Sequence, residues 1–284
     1  MASRQNAFKM RAADMERYRQ ALRELMAISA QNLADERGYF YFAGIHGLPV
    51  PTWCAHGSLL FFPWHRAYMY FFELALQERI GDADVGIPWW DWLGPEAHEQ
   101  GLPPAFTAPA ADANPLYRAN VDLDPRYIAL IRQNPRLSAT LDLTDANQPR
   151  TMRDARDPRN LPYRQPPDFV QPPSRSEDWF NVDAILQETD FNRFSMRLEN
   201  IHGGVHVWVG GTMSQVPTAA FDPIFWSHHS MVDSLWYRWQ QLHGRPGPDQ
   251  QLWDIVLTPF PVTVQDMLDI EQLNYDYVET RVEV

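Results

Sequence analysis

The stretch "DPIFWSHHSMVDSLWYRWQQLHG", residues 222–244, decides how the whole chain reads. Its patterning is helical, and it seats His229 between the apolar runs "IFW" and "MVDSLW". An imidazole in apolar surroundings needs a strong partner, because burying an unpaired polar group is costly. Just upstream, "NIHGGVHVWVGG", residues 200–211, sets His202 and His206 four apart. A helix turns about 100° per residue, so these two rings share one face, with Cβ atoms roughly 5–6 Å apart. That spacing suits two imidazoles on one metal ion.

The chain holds nine histidines. His46, His56 and His65 form an early group; His202, His206, His228 and His229 form a late one; His98 and His243 stand apart. A histidine taken singly is more often an ordinary hydrogen-bonded residue than a ligand, but grouping changes that balance. His65 opens a helix whose following turns present Tyr68, Phe72 and Leu76, which aims it inward, and His206 is flanked by Val205, Val207 and Trp208. Zinc is one rival, since two histidines four apart also occur in zinc proteases. There the residue after the first histidine is a Glu acting as base; here it is Gly203. A lone Cys, and no carboxylate at ligand spacing, argue against structural zinc and non-haem iron. Imidazole-only ligation in two sets of three suits copper among other metals, and ligand chemistry alone does not choose.

Three stretches organise the chain into one expected domain, 1–284. Residues 5–92 are rich in helix formers and aromatics; "PWHRAYMYFFELALQERIG" opens with Pro63 and stops at Gly81, as a helix should. The start, "MASRQNAFKMRAADMERYRQALRELM", reads as an amphipathic helix, not as a signal peptide. Residues 95–175 carry 14 of the 24 prolines and read as a long irregular insertion with short helices such as "DPRYIALIRQNP". Helical patterning returns from 178 to 243, in "FNRFSMRLENIHGGVHVWV" and the opening stretch.

The segment "DPIFWSHHSMVDSLW" resembles the second-site signature of the type 3 copper proteins, the tyrosinase, catechol oxidase and mollusc-type haemocyanin family. Asp222, Pro223, Phe225, Trp226, His229 and Asp233 match it. "HGGVHVWVGG" resembles the first two ligands of that site, and "HGSLLFFPWHRAYMYFFE" the interval between the second and third ligands of the first site. The resemblance covers roughly residues 38–92 and 195–243. It implies a mainly α fold, a four-helix bundle with long Pro-rich irregular loops and little strand, holding a dinuclear copper centre. One copper would be held by His46, His56 and His65, the other by His202, His206 and His229. Two copper ions and O2 as co-substrate would serve the oxidation of a small phenolic substrate.

The same resemblance implies roles around the ligands. Asp233, one helical turn after His229, is the expected hydrogen-bond partner of that ring, and His228 is expected beside the site. Arg66 is expected to pair with an acidic residue across the bundle. Cys54, two residues before His56, resembles the cysteine that bonds to a ligand-histidine ring carbon in fungal tyrosinases and mollusc haemocyanins; otherwise it is a small buried thiol. Glu199 is the candidate holder of a basic water for monophenol hydroxylation, with a helix-surface ion pair as its alternative. Gly203 stands where the family carries a helping Asn, and Val216 where the family has a residue at the substrate mouth. Oxidation of ortho-diphenols to ortho-quinones is the expected activity. Monophenol hydroxylation, ortho-aminophenol oxidation, oxygen carriage of the haemocyanin type and a zinc hydrolase are the alternatives. "NYDY" at 274–277 resembles the Tyr-x-Tyr element that closes the family's catalytic domain, so no C-terminal lid is expected within the chain. A partner that delivers copper or covers the site is compatible with this reading.

Composition excludes other classes. Thirty-six acidic against 24 basic residues give a net charge of −12, which repels nucleic acid and anionic membrane. No apolar run reaches the 18 or so residues of a membrane span. One Cys excludes an internal disulfide framework and fits a reducing compartment, so a cytoplasmic protein is the expectation.

Overall fold

The computed structural model describes residues 1–47, 53–108, 114–117, 180–244 and 247–279. Four long helices dominate them: α1 (Ala12–Gln31), α3 (Phe61–Ile80), α7 (Phe191–Val209) and α8 (Ile224–His243). A short α2 (Tyr39–Ile45) precedes α3, and α4 (Pro95–Gln100), α5 (Pro104–Thr107) and α6 (Val182–Leu186) lie between α3 and α7. Most of the expected Pro-rich insertion, and the helix expected at 124–135, lie outside the described residues.

Helix α3 is the spine. Phe61, Phe62, Trp64, Tyr68, Met69, Phe72 and Leu76 are all buried, the mark of a helix covered on several sides. It packs on α1, α7 and α8. Phe72 stacks on Trp226 of α8 with ring centroids 3.6 Å apart and planes within 9°, a pair contributing roughly 0.5–1.5 kcal/mol beyond its buried area. The helix begins two residues before Pro63, which fits in the first turn because no intrahelical acceptor awaits its missing N–H. Gly81 ends it at φ 65°, a left-handed conformation that costs a glycine nothing. Helix α7 begins where Asp190 accepts a hydrogen bond from the Arg193 amide at 2.9 Å, and Gly244 caps α8 at φ 57°.

The N-terminus departs from expectation. Residues 2–5 are not helical: β1 (Ala2–Gln5) pairs in parallel with β2 (Tyr275–Val278), Ala2 opposite Tyr275 and Arg4 opposite Tyr277. The reason is the fate of Arg4, whose side chain is fully buried. Its Nε and Nη2 donate to Glu73 of α3 at 2.9 and 3.2 Å, and its Nη1 donates to Asp233 of α8 at 3.1 Å. Arg66 Nε donates to the other oxygen of Asp233 at 2.6 Å, and the hydroxyls of Tyr275 and Tyr277 donate to Asp233 at 2.7 and 2.6 Å. Two guanidinium groups and two carboxylates thus neutralise one another between α3, α8 and the two strands. Burial pushes the Asp233 carboxyl up, but Arg66 and Arg4 beside it bring it below its ordinary value on balance.

Removing one member of such a network leaves the others uncompensated, at a cost of about 3–5 kcal/mol. Asp233→Asn is therefore expected to lower unfolding free energy by about that amount in a urea titration. A loss below about 1 kcal/mol would mean that the network is not what ties α3 to α8.

Candidate metal centre

Six histidines meet between the helices. His46 caps the C-terminus of α2, His56 sits in the irregular segment before α3, His65 lies on α3, His202 and His206 on α7, and His229 on α8. Five of the six are buried, with His56 intermediate. The rings of His46, His56 and His65 lie 5.2–5.7 Å apart, centroid to centroid. Those of His202, His206 and His229 lie 4.5–5.4 Å apart. The two sets touch: His65 stacks on His229 at 4.6 Å, and His46, His65 and His229 bring ligand nitrogens within 4.8 Å of one another.

Backbone carbonyls set the tautomers. Nδ1 of His46, His65, His202 and His206 lies 2.7, 2.8, 3.2 and 3.0 Å from the carbonyl oxygens of Val216, Phe61, Glu199 and Met213. A carbonyl only accepts, so each Nδ1 carries the proton and each Nε2 keeps a bare lone pair. Yet Nε2 of His206 lies 2.9 Å from Nε2 of His202, and both lie 3.3 Å from Nε2 of His229. The first of these contacts has no proton to share. Lone pairs that converge in a buried site repel unless a cation lies between them, and an ion about 2.0–2.1 Å from each nitrogen fits such separations. Nε2 of His46 and of His65 is likewise buried without a hydrogen-bond partner among the described residues.

Burial also keeps the rings neutral. It holds His56 at about 4 and His206 at about 3, and holds His46, His65, His202 and His229 well below the ordinary imidazole value, with neighbouring histidines adding to the effect. Neutral imidazoles with oriented lone pairs are what a metal ion requires. Phe61 and Phe225 wall the centre, with Phe61 against His65 and His202 at 4.6 and 4.9 Å and Phe225 against His229 at 4.2 Å.

The expected partner of His229 is corrected. Asp233 gives its oxygens to Arg4, Arg66, Tyr275 and Tyr277, and Nδ1 of His229 has no hydrogen-bond partner among the described residues. Two guanidinium groups outcompete one neutral imidazole for a buried carboxylate. His228, expected beside the site, is stacked on His202 at 5.1 Å and 8° and edge-on to His206 at 4.7 Å. It brings a ring nitrogen within 4.8 Å of those of His202, His206 and His229, so a fourth imidazole stands at ligand distance in the late set. Cys54 Sγ lies 3.2 Å from His56 Nδ1, and burial pushes its thiol up to about 12. The carbonyl partners escaped sequence reading, because a backbone oxygen carries no residue-type signal.

A cavity of about 190 Å³ opens onto the centre, lined by His46, His56, His202 and His206 with Glu199, Gly203 and Val216 among the rest. Val216 is 44% and Val207 50% exposed at its rim. Among the described residues, and apart from its own stretch of helix backbone, nothing lies within 4 Å of where a side chain on Gly203 would begin. Glu199 Oε1 accepts the Gly57 N–H at 2.6 Å; burial pushes its carboxyl up and that N–H pulls it back.

The depressed imidazole values set the pH behaviour. The folded centre refuses protons that the unfolded chain takes up near pH 6.5. The metal-free protein is therefore at its most stable above about pH 6.5 and loses stability as pH falls toward 4. Urea midpoints of metal-free protein at pH 7 and 5 are expected to show that loss, whereas metal affinity of the folded site stays nearly flat over the same range. A tenfold or larger drop in affinity by pH 5 would mean ordinary, solvated imidazoles.

Comparison with known proteins agrees with this geometry. Residues 36–242 match the family model for tyrosinase, described as the common central domain of tyrosinase. The chain is 30% identical over 226 residues to a G-type haemocyanin of Enteroctopus dofleini, covering 74% of this chain and 7% of that protein. It is 30% identical over 292 residues to the chloroplastic polyphenol oxidase A1 of Vicia faba, covering 93% of this chain and 45% of that one. It thus spans less than half the length of either relative. Among solved structures, a functional unit of octopus haemocyanin superposes with a TM-score of 0.71 at 26% identity, over 98% of this chain and 68% of that one. A match over most of the chain, together with a cage of metal-ready histidines, places this protein in the tyrosinase family of type 3 copper proteins.

Proposed function

We propose that this chain holds two copper ions and oxidises ortho-diphenols to ortho-quinones, with O2 as co-substrate. The observation that carries the reading is a cavity lined by histidines of both sets, His46 and His56 from one and His202 and His206 from the other. An enclosed apolar cavity of about 150 Å³ accepts benzene, so about 190 Å³ takes one phenolic ring. Copper, when bound, supplies the electron acceptance and the oxygen chemistry. The chain's own residues do the rest. His46, His56 and His65 would hold one ion and His202, His206 and His229 the other. Phe61 and Phe225 keep water from the far side of the centre, and Val207 and Val216 frame the entrance for a ring.

One feature favours diphenols over monophenols: Gly203 brings no side-chain amide to the position after His202, where a helper for a base would stand. The haemocyanin relatives support a second reading, reversible oxygen carriage. The half-exposed rim residues Val207 and Val216 favour the oxidase, which has to admit a ring.

Oxygen uptake by copper-loaded protein tests the proposal. Uptake is expected with catechol, little with tyrosine, and none with either in His229→Ala. Reversible oxygen binding without consumption of catechol would overturn the oxidase in favour of the carrier. Gly203→Asn, for which there is space, is expected to fold normally and raise the tyrosine rate relative to the catechol rate.

A further inference from the structure

His56 is the least supported of the six histidines. Four others lie within long helices and His46 caps α2, whereas His56 lies in a segment, residues 53–60, without helix or strand. Its Nδ1 faces the sulfur of Cys54 and not a carbonyl. The hydrogen bonds of Ser58 within the segment are local: its side chain accepts from Leu60 N at 3.3 Å and its carbonyl from Phe61 N at 3.1 Å. The bond from Phe61 N to the Ser58 carbonyl and that from Trp64 N to the Leu60 carbonyl only run the segment into α3, its own continuation. Among the described residues, one bond ties it to another long helix. Gly57, the residue after His56, donates its N–H to Oε1 of Glu199 on α7, 142 positions away, at 2.6 Å. Gly57 holds φ at 62° with nothing among the described residues within 4 Å of a would-be Cβ, so its backbone conformation calls for glycine.

We propose that Glu199 is a positioning residue, a latch that fixes the His56 segment to α7 and so completes the metal site of His46, His56 and His65. The inference rests on the two-metal reading of the centre. Glu199 lies one helical turn before His202, and its backbone oxygen faces Nδ1 of that ring at 3.2 Å. The same residue therefore orients a histidine of one set through its carbonyl and secures a histidine of the other set through its side chain. A carboxylate accepting a backbone N–H makes a short, charge-assisted bond, stronger than a neutral pair. Losing a partner that orients a ligand typically lowers metal affinity about 10–100-fold.

The latch and a basic role for Glu199 rank variants in opposite orders. Glu199→Gln keeps an acceptor oxygen at the same reach and loses the charge. Glu199→Asp keeps the charge and falls one methylene short, and Glu199→Ala loses both. Copper per folded protein, measured after competition with a chelator, reads the latch without any turnover. Unaltered protein and Glu199→Gln are expected to retain two ions, whereas Glu199→Asp and Glu199→Ala retain one, with affinity for the second down about 10–100-fold. Circular dichroism confirms that each variant is folded, and His229→Ala shows what loss at the other set looks like. Two tightly held ions in Glu199→Ala, or loss in Glu199→Gln as deep as in Glu199→Ala, would overturn the latch while leaving the two-metal centre standing. Fewer than two ions in the unaltered protein would overturn that centre, and the latch with it.

Discussion

Everything in this structure depends on unprotonated imidazole nitrogens being forced together out of water. A hydrogen bond cannot explain Nε2 of His202 against Nε2 of His206 at 2.9 Å, because the Glu199 and Met213 carbonyls fix both protons on the opposite nitrogens. The arrangement is a fold holding lone pairs in place for a cation. Its cost has to be met elsewhere, by the aromatic packing around α3 and by the charge network beneath the centre. Removing the cation is expected to expose that cost, since the proton that His202 and His206 each carry is held on Nδ1 by a carbonyl, away from the 2.9 Å contact.

The network beneath the centre converts distant parts of the chain into one scaffold. Arg66 follows His65 directly, and Asp233 follows His229 by one turn, so their 2.6 Å ion pair couples the two helices at the level of their ligands. Arg4 then brings the first strand to the same point, stacked over the Tyr275 ring at 3.6 Å. A guanidinium over a tyrosine face adds a cation–π attraction to the ion pairs. The separation between His65 and His229, and with it the contact between the two histidine sets, is thereby held by charges as well as by the aromatic packing of Phe72 on Trp226.

Much of this was legible in the sequence, and what was hidden has a physical reason. The four-residue spacing of His202 and His206 works only on a helix, and α7 spans the residues expected of it. The "DPIFWSHHSMVDSLW" signature placed His229 on a helix beside them, and Pro63 and Gly81 bracketed α3 to within two residues. Arg4 was hidden because a short strand with a basic residue has no periodicity, and its partners lie 69 and 229 positions away. Asp233 was read as a partner of the nearest imidazole, when two guanidinium groups from other elements hold it instead. The carbonyls behind the histidines and the Gly57–Glu199 bond share the same difficulty. Each joins a residue to a backbone group whose position only the folded chain defines.

The central claim is that two metal ions sit between six named histidines. Anomalous scattering at the copper edge from crystals of copper-loaded protein tests it most directly. The expected map has two peaks, one bounded by His46, His56 and His65 and the other by His202, His206 and His229, with His228 and Asp233 outside both. A single peak among His202, His206, His228 and His229, with the early histidines empty, would contradict the account.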